Sequence, residues 1–331
     1  MAENKVSVII PIYKVERFIE RCVVSLMEQT LDEVEYIFVD DASPDGSVNI
    51  LREVVERYPS RRECVKIVTH SENKGLPAAR NTGLAEANGE YIYHCDSDDF
   101  VELDMLEVLY NKAKECDADV VWCDFKMVYA DREEYNTMFY PHKKNIESLK
   151  AYLSYGWNVV WNMIVKRSIY NDHKIKSFEG LNFTEDYGLT SRLIYNSKVI
   201  EYVPKALYNY NRENLSSIVH QELDELKKLK MAQDEISICC LINDYFCQKN
   251  MYKVLEKELS WRVLKAKRYW LYCPHKWKDY LSLCPESNKY ISSNPFCSKK
   301  DKICQNLILH FWGRPLLYVV KMIDKIYKNI K

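Results

Sequence analysis

The stretch Tyr36-Ile-Phe-Val-Asp-Asp-Ala-Ser-Pro-Asp-Gly-Ser47 changes character after four residues. Its aromatic and β-branched start reads as a buried strand. Asp40 and Asp41 stop that strand. Val48, Leu51, Val54, Val55 and Tyr58 then recur with the spacing of one helical face. Ser43, Asp45 and Ser47 are the candidates to cap this helix, because their oxygens can accept its free N–H groups.

The same alternation extends in both directions. Upstream, Val6 to Ile10 is a β-rich run ended by Pro11, and Phe18, Ile19, Cys22, Val23 and Leu26 share a helical face. Downstream come a strand at Val65 to Val68, a small-residue helix from Pro77 to Ala87 closed by Gly89, and a strand at Tyr91 to Tyr93. A helix from Asp104 to Glu115 leads to a further strand, Val120 to Phe125. This predicts an α/β fold, a mostly parallel sheet flanked by crossover helices. Ligands of such open sheets sit beyond the carboxyl ends of the strands. The residues just past those ends are Pro11-Ile-Tyr13, Asp40-Asp41 and Asp96-Ser-Asp-Asp99, so acids far apart in sequence are expected on one edge. Past residue 130 the alternation fades. Lys144 to Tyr155 and Glu185 to Tyr195 read as helices, and from Glu222 the pattern is mainly helical and aromatic, with Trp261, Trp270, Trp277 and Trp312. The expected division is an α/β domain over 1–218 and a mainly helical region over 219–331.

The 331 residues are 47% hydrophobic and 29% charged, which is ample for a core. A formal net charge of −1 gives no reason to expect a nucleic-acid partner. No signal-peptide succession opens the chain, and no apolar run approaches the roughly 18 residues of a spanning helix, so a cytoplasmic location is expected. The twelve cysteines form no CxxC pairs. Reduced thiols are expected, with Cys22, Cys116 and Cys123 as small core residues, and the spacing argues against zinc.

Asp96-Ser97-Asp98 is the sharpest chemical signal. Alone it would be a solvated acidic turn. At a strand end, beside Asp40-Asp41, it suits a divalent cation that keeps open positions for a diphosphate. Two adjacent carboxylates at 40 and 41 exceed what capping needs and would accept from a nucleobase N–H or a ribose hydroxyl. In Asn73-Lys-Gly-Leu-Pro-Ala-Ala-Arg-Asn81, Gly75 permits close backbone approach and Pro77 suits a first helical turn. Arg80 then either meets the base or diphosphate of a nucleotide or makes a surface ion pair. Glu185-Asp186 follows Thr184, a candidate N-cap. Acids there are commonly just favourable with the helix dipole. Transfer at an anomeric carbon, however, requires an ionised carboxylate to take the acceptor's proton.

Taken in order, Ser7-Val-Ile-Ile-Pro-Ile-Tyr13, Val39 to Ser47, Asn73 to Asn81, Asp96 to Asp99 and Glu185-Asp186 resemble the large second family of inverting glycosyltransferases. The likeness covers roughly residues 5 to 218. It implies the GT-A fold, a Rossmann-like sheet, and transfer of a sugar from a nucleotide-diphosphate donor, by family frequency UDP, to a saccharide or lipid-linked saccharide. It implies Pro11 and Tyr13 in the nucleotide pocket, Asp41 receiving the uracil-type N–H with Asp40 close by, Asp96 with Ser97 at the ribose, Asp98 on Mn²⁺ or Mg²⁺, and Asp186 as general base with Glu185 beside it. Ala42, where the family often has Gly, and Tyr187-Gly-Leu are departures that remove no functional group. Trp161-Asn162 and Arg212-Glu-Asn-Leu-Ser-Ser-Ile218 look like the family's segments bordering the acceptor and diphosphate, a core aromatic being the other reading of Trp161. His94 is expected to be packed.

Leu316, Leu317, Val320, Ile323 and Tyr327 share a helical face beside Lys321, Lys325, Lys328 and Lys331. This stripe either packs on the protein or lies on an anionic membrane, which would make the enzyme peripheral on the cytoplasmic face. A non-catalytic nucleotide-sugar-binding protein of the same fold is the rival from another class. A nucleotidyltransferase would be expected to carry a glycine-rich phosphate loop near the N-terminus, and none occurs. Dehydrogenase and P-loop readings fail for want of GxGxxG and GxxxxGK[ST].

Overall fold

A computed structural model describes residues 4–137, 145–154, 158–214, 225–310 and 313–317. The chain forms two compact units, Met1–Tyr152 with Trp157–Glu222 and Leu153–Gly156 with Leu223–Lys331. The expected boundary at 218 falls in 215–224, outside the described residues.

The first unit runs β1 (Val6–Ile12), α1 (Ile19–Met27), β2 (Val34–Asp40), α2 (Ser47–Glu56), β3 (Val65–Thr69), α3 (Leu76–Glu86), β4 (Tyr91–His94), β5 (Phe100–Val101) and α4 (Met105–Cys116). It continues through β6 (Val120–Val128), β7 (Glu133–Asn136), α5 (Asn145–Ser154), β8 (Met163–Lys166), α6 (Arg167–Asp172), α7 (Glu185–Asn196) and β9 (Ile200–Asn211). The sheet order is β3-β2-β1-β4-β8-β6-β9-β5, with β7 on β6. β3, β2, β1, β4, β6 and β9 point one way, while β8, β5 and β7 are reversed. The parallel half, β3 to β4, is the part whose alternation was legible. β8 follows a helix and a loop rather than a regular crossover, so its reversed insertion between β4 and β6 left no periodic trace.

All seven residues of β1 are buried. The strand also outlasts its expected end at Pro11. β4 pairs with β1 only as far as Ile9, whose carbonyl accepts from Cys95 N. Backbone groups at residues 9 and 11 point the same way, so the N–H that Pro11 lacks falls where β4 has ended, and β2 alone carries β1 to Ile12. α3 lies close on this strand at Gly83, where a Cβ would come 2.4 Å from Ile9 Cγ2. Cys22 and Cys123 are core residues as expected, whereas Cys116 is only half-buried.

The second unit contains α8 (Glu225–Gln248), α9 (Tyr252–Lys267), α10 (Trp277–Ser282) and α11 (Lys299–Leu309). Trp261, Trp270 and Trp277 are buried in it, with Trp277 Nε1 donating to the Leu271 carbonyl at 2.9 Å. Burial pulls Lys267 down to about 8, and its Nζ donates to the Leu283 carbonyl at 2.6 Å. Among the described residues no helix is long and apolar enough to cross a membrane. Most of the basic stripe beyond Leu317, and Trp312, lie outside the described residues.

Candidate active site

The carboxyl ends of β2 and β4 deliver the acids, as strand direction requires. Asp41 N donates to the Ile12 carbonyl at 3.0 Å, which brings the end of β1 beside Asp40-Asp41. There Pro11 is buried in β1 and Tyr13 is 41% exposed just beyond it. Asp40 Oδ1 accepts from Ser43 N at 2.8 Å. Asp45 ties down the following loop by accepting from Ser43 Oγ, Ser47 Oγ and Ser47 N. Of the three candidate caps, Asp45 is thus the one whose carboxylate receives a helix-entry N–H, although the residue preceding α2 is Gly46.

Asp41 is buried and holds the segment before α3. Its Oδ1 accepts from Lys74 N and faces His70 Nδ1, at 2.8 and 2.7 Å, and its Oδ2 accepts from Gly75 N at 2.8 Å. Gly75 has φ +88°, and a Cβ on it would come 2.2 Å from Asn182 Oδ1, so only glycine fits. Asn81 extends this junction by bonding Ser177 and Glu179. The loop before α7 is therefore built onto the start of α3.

Arg80 is the centre of the site and is 1% exposed. That excludes a surface ion pair, and its terminal nitrogens are taken by protein carboxylates. Nη2 meets Asp96 Oδ1 at 3.1 Å, while Nη1 meets Glu185 Oε1 at 3.1 Å and also Asp186 Oδ1. One cation thus joins the Asp96-Ser97-Asp98 turn to the Glu185-Asp186 pair, 105 and 106 residues from Arg80 in sequence. Burial disfavours the charge on Arg80, yet Asp186, Asp96 and Glu185 together hold its pKa above the ordinary value. Its Nε is buried without a partner.

Three acids around one cation cannot all ionise cheaply. Burial and the charge of Asp186 push Glu185 up to about 8, against the pull of Arg80. Burial also raises Asp186, to about 6, with Arg80 and a backbone bond from Val160 restraining the shift. Both shifts point the same way, so the pair gives up its protons at higher pH than free carboxyls would. Proximity to the start of α7 does not by itself keep both acids charged. Thr184 precedes the helix, but its φ is +60° and its buried hydroxyl has no hydrogen-bond partner, so the expected side-chain cap is not made. A β-branched residue in that region is strained.

Asp98 is pushed up to about 6 by burial and by the charge of Asp96, while Asn214 Nδ2, donating to Oδ2 at 2.7 Å, restrains it. Ser97 is buried between them. Asp99 is structural, accepting from Asn211 N at 2.7 Å and from the Tyr208 hydroxyl, which fixes the acidic turn to the end of β9. Among the described residues no three acidic, histidine or cysteine side chains form an all-protein cation cage. The donor set of Asp96 and Asp98 nonetheless fits a divalent cation that takes one or two carboxylates and completes its shell with phosphate and water. Arg80 compensates Asp96 from one side only.

Trp161 is 2% exposed and stacks on Tyr208 at 4.2 Å and 11°, and on Tyr210 at 5.7 Å, so it is a core aromatic. Asn162 bonds the Cys123 backbone. His94 is packed as expected, 3.3 Å from the Tyr170 hydroxyl, with burial holding its pKa well below the ordinary value. Sequence reasoning passed over His70, Asn211 and Asn214. The strand-end rule points to His70, one residue past β3, and Asn214 lies inside the Arg212 block. A separate polar groove of about 600 Å³, lined in part by Lys5, Glu90, Lys114 and Lys166, lies at the opposite ends of β1 and β4. Its lysines are paired with Glu33, Glu90 and Asp117, and it holds none of the strand-end acids.

The fold is that of glycosyltransferases of the GT-A class. Staphylococcus aureus TarS 1–349, solved with UDP-GlcNAc, matches with a TM-score of 0.61 at 20% identity over 99% of this chain and 92% of that one. The mannosyltransferase PcManGT of Pyrobaculum calidifontis, in complex with GDP-Man and Mn²⁺, matches with a TM-score of 0.52 at 17% identity over 100% and 88%. The sequence model of glycosyl transferase family 2 matches residues 7–174, just over half of the chain, and the chain belongs to that family. The match ends before Glu185-Asp186. A relative, the uncharacterized glycosyltransferase EpsJ of Bacillus subtilis (strain 168), is 32% identical over 220 residues, 64% of this chain. The chain spans 62% of EpsJ's length.

Proposed function

We propose that this glycosyltransferase catalyses an inverting transfer of a sugar from a UDP-linked donor to a hydroxyl of a saccharide or lipid-linked saccharide, in bacterial surface polysaccharide or glycolipid synthesis. The observation that carries the reading is the Arg80 bridge, which joins Asp96 of the acidic turn to Asp186. A donor-side acid and a candidate base thereby share one site. The TarS complex with UDP-GlcNAc supports UDP as carrier, and family likeness supports the acceptor class.

Pro11 and Tyr13 flank the base, and Asp41, with Asp40 beside it, accepts its N–H. Asp96 and Ser97 approach the ribose. Asp98 would hold Mn²⁺ or Mg²⁺, a cation that when bound would neutralise charge on the departing diphosphate. Asp186 takes the proton of the acceptor hydroxyl, which attacks the anomeric carbon opposite the nucleotide. Burial raises both acids of the pair, which strengthens Asp186 as the acceptor of that proton. Arg80 holds Asp186 in place and, through its bond to Asp96, lies on the donor side where the base or diphosphate would meet it.

A thermal-shift panel of nucleotide sugars with Mn²⁺ tests the donor. UDP-sugars are expected to raise Tm more than GDP- or CDP-sugars. No response to any nucleotide sugar would refute the reading.

A further inference from the structure

The mechanism above leaves His70 without a task, yet it is buried and both ring nitrogens are engaged. Its backbone N–H donates to the Asp40 carbonyl at 2.9 Å, so the β2–β3 ladder fixes where the ring starts. Nδ1 lies 2.7 Å from Asp41 Oδ1, and Nε2 lies 2.9 Å from Thr82 Oγ1 on α3. A carboxylate only accepts, so the Nδ1 proton faces Asp41, and Thr82 closes the other end of the ring.

The lone pairs of Asp41 can be counted. Oδ1 accepts from His70 and Lys74 N, and Oδ2 from Gly75 N. A carboxylate offers about four acceptor directions. One remains, on Oδ2. The backbone at 74 and 75 is pinned to Asp41 by its own two bonds, so His70 adds nothing to that segment directly. Its contribution is to the plane of the carboxylate, and hence to the direction of the vacant lone pair.

We propose that His70, clamped by Thr82, is a positioning residue that aims the remaining acceptor of Asp41 at a ring N–H of the donor's base, favouring bases that carry one over cytosine. Cytosine presents N3 as an acceptor, which would face the carboxylate with lone pair against lone pair. This rests on reading the strand-end site as a nucleotide-sugar site, and it adds the element that enforces base choice.

The test is calorimetric titration of the full chain with UDP and with CDP, each with Mn²⁺. Wild type is expected to prefer UDP. His70→Ala lowers that preference about tenfold, with UDP affinity lost and CDP affinity kept. His70→Asn, whose amide N–H reaches Asp41 from near the Nδ1 position, keeps most of it. Thr82→Val, which removes only the clamp, costs about threefold in preference and carries the test if His70→Ala does not fold. An unchanged UDP-to-CDP ratio in the folded variants overturns the inference. Equal losses for both nucleotides also overturn it, by reducing His70 to a structural prop. Wild type that binds neither nucleotide would instead bring down the nucleotide-sugar reading itself, and the inference with it.

Discussion

Asp41 and Asp186 are both buried acids in the same unit, and they are held by opposite means. Asp41 is surrounded by the backbone N–H groups of Lys74 and Gly75 and the His70 ring. Asp186 shares the single cation Arg80 with Glu185 and Asp96. Directed hydrogen bonds suit an acid whose task is to accept from a ligand in one orientation. A surplus of acids over cations suits a place where a proton or a metal must come and go. The first corner is built to stay fixed, and the second is left electrostatically incomplete.

The largest expected effect breaks the second corner. Asp186→Asn keeps the shape and removes the base, so transfer should fall roughly 10²–10⁴-fold while UDP affinity holds, read by steady-state kinetics and calorimetry. Retained turnover would reassign the base. In wild type the rate should rise with pH through about 6, where Asp186 ionises, and flatten above.

Arg80→Met comes next. It leaves three acids around an uncompensated buried site, with an expected loss of about 3–5 kcal/mol in chemical denaturation. A loss near the 0–1 kcal/mol of a surface pair would mean that the bridge contributes little.

The contrast between corners also explains what the sequence revealed. Alternating periodicity exposed β1 to β4 because each strand is flanked by a regular helix with an apolar face. The strand-end rule then placed Asp40-Asp41 and Asp96 to Asp98 on one edge. What periodicity could not supply was pairing between side chains. Arg80 sits on a helix whose buried residues, such as Ala78, Ala79 and Gly83, form no marked stripe, so nothing announced that it points inward. Trp161 was undecidable because a stacked core aromatic and a sugar platform share one residue type. His70 was missed because it is a lone histidine one residue past β3 whose partner, Asp41, lies 29 residues away in sequence.

Glu185→Gln sharpens the comparison by isolating the proton. The pKa of Glu185 rises from an ordinary 4.5 to about 8 on folding. Its protonated form therefore favours the folded state. That contribution is whole below about pH 4.5 and is lost as pH rises toward 8. A neutral amide removes the loss, so the variant should gain on the order of 4 kcal/mol relative to wild type at pH 8 and little at pH 5. Equal stability differences at both pH values would show that Glu185 ionises normally.

The smallest effect concerns Asp98, which lies between the two kinds of environment. Asn214 donates to it as N–H groups donate to Asp41, yet burial and the Asp96 charge still push it up to about 6. One neutral donor is too little to offset both. If a cation makes up the balance, Asp98→Ala should weaken UDP binding with Mn²⁺ by about tenfold, near 1.4 kcal/mol, and should leave binding in EDTA unchanged. Wild type in EDTA should then resemble the variant. Identical Mn²⁺ dependence in both proteins would place the metal elsewhere and leave Asp98, like Asp99, as part of the support for the end of β9.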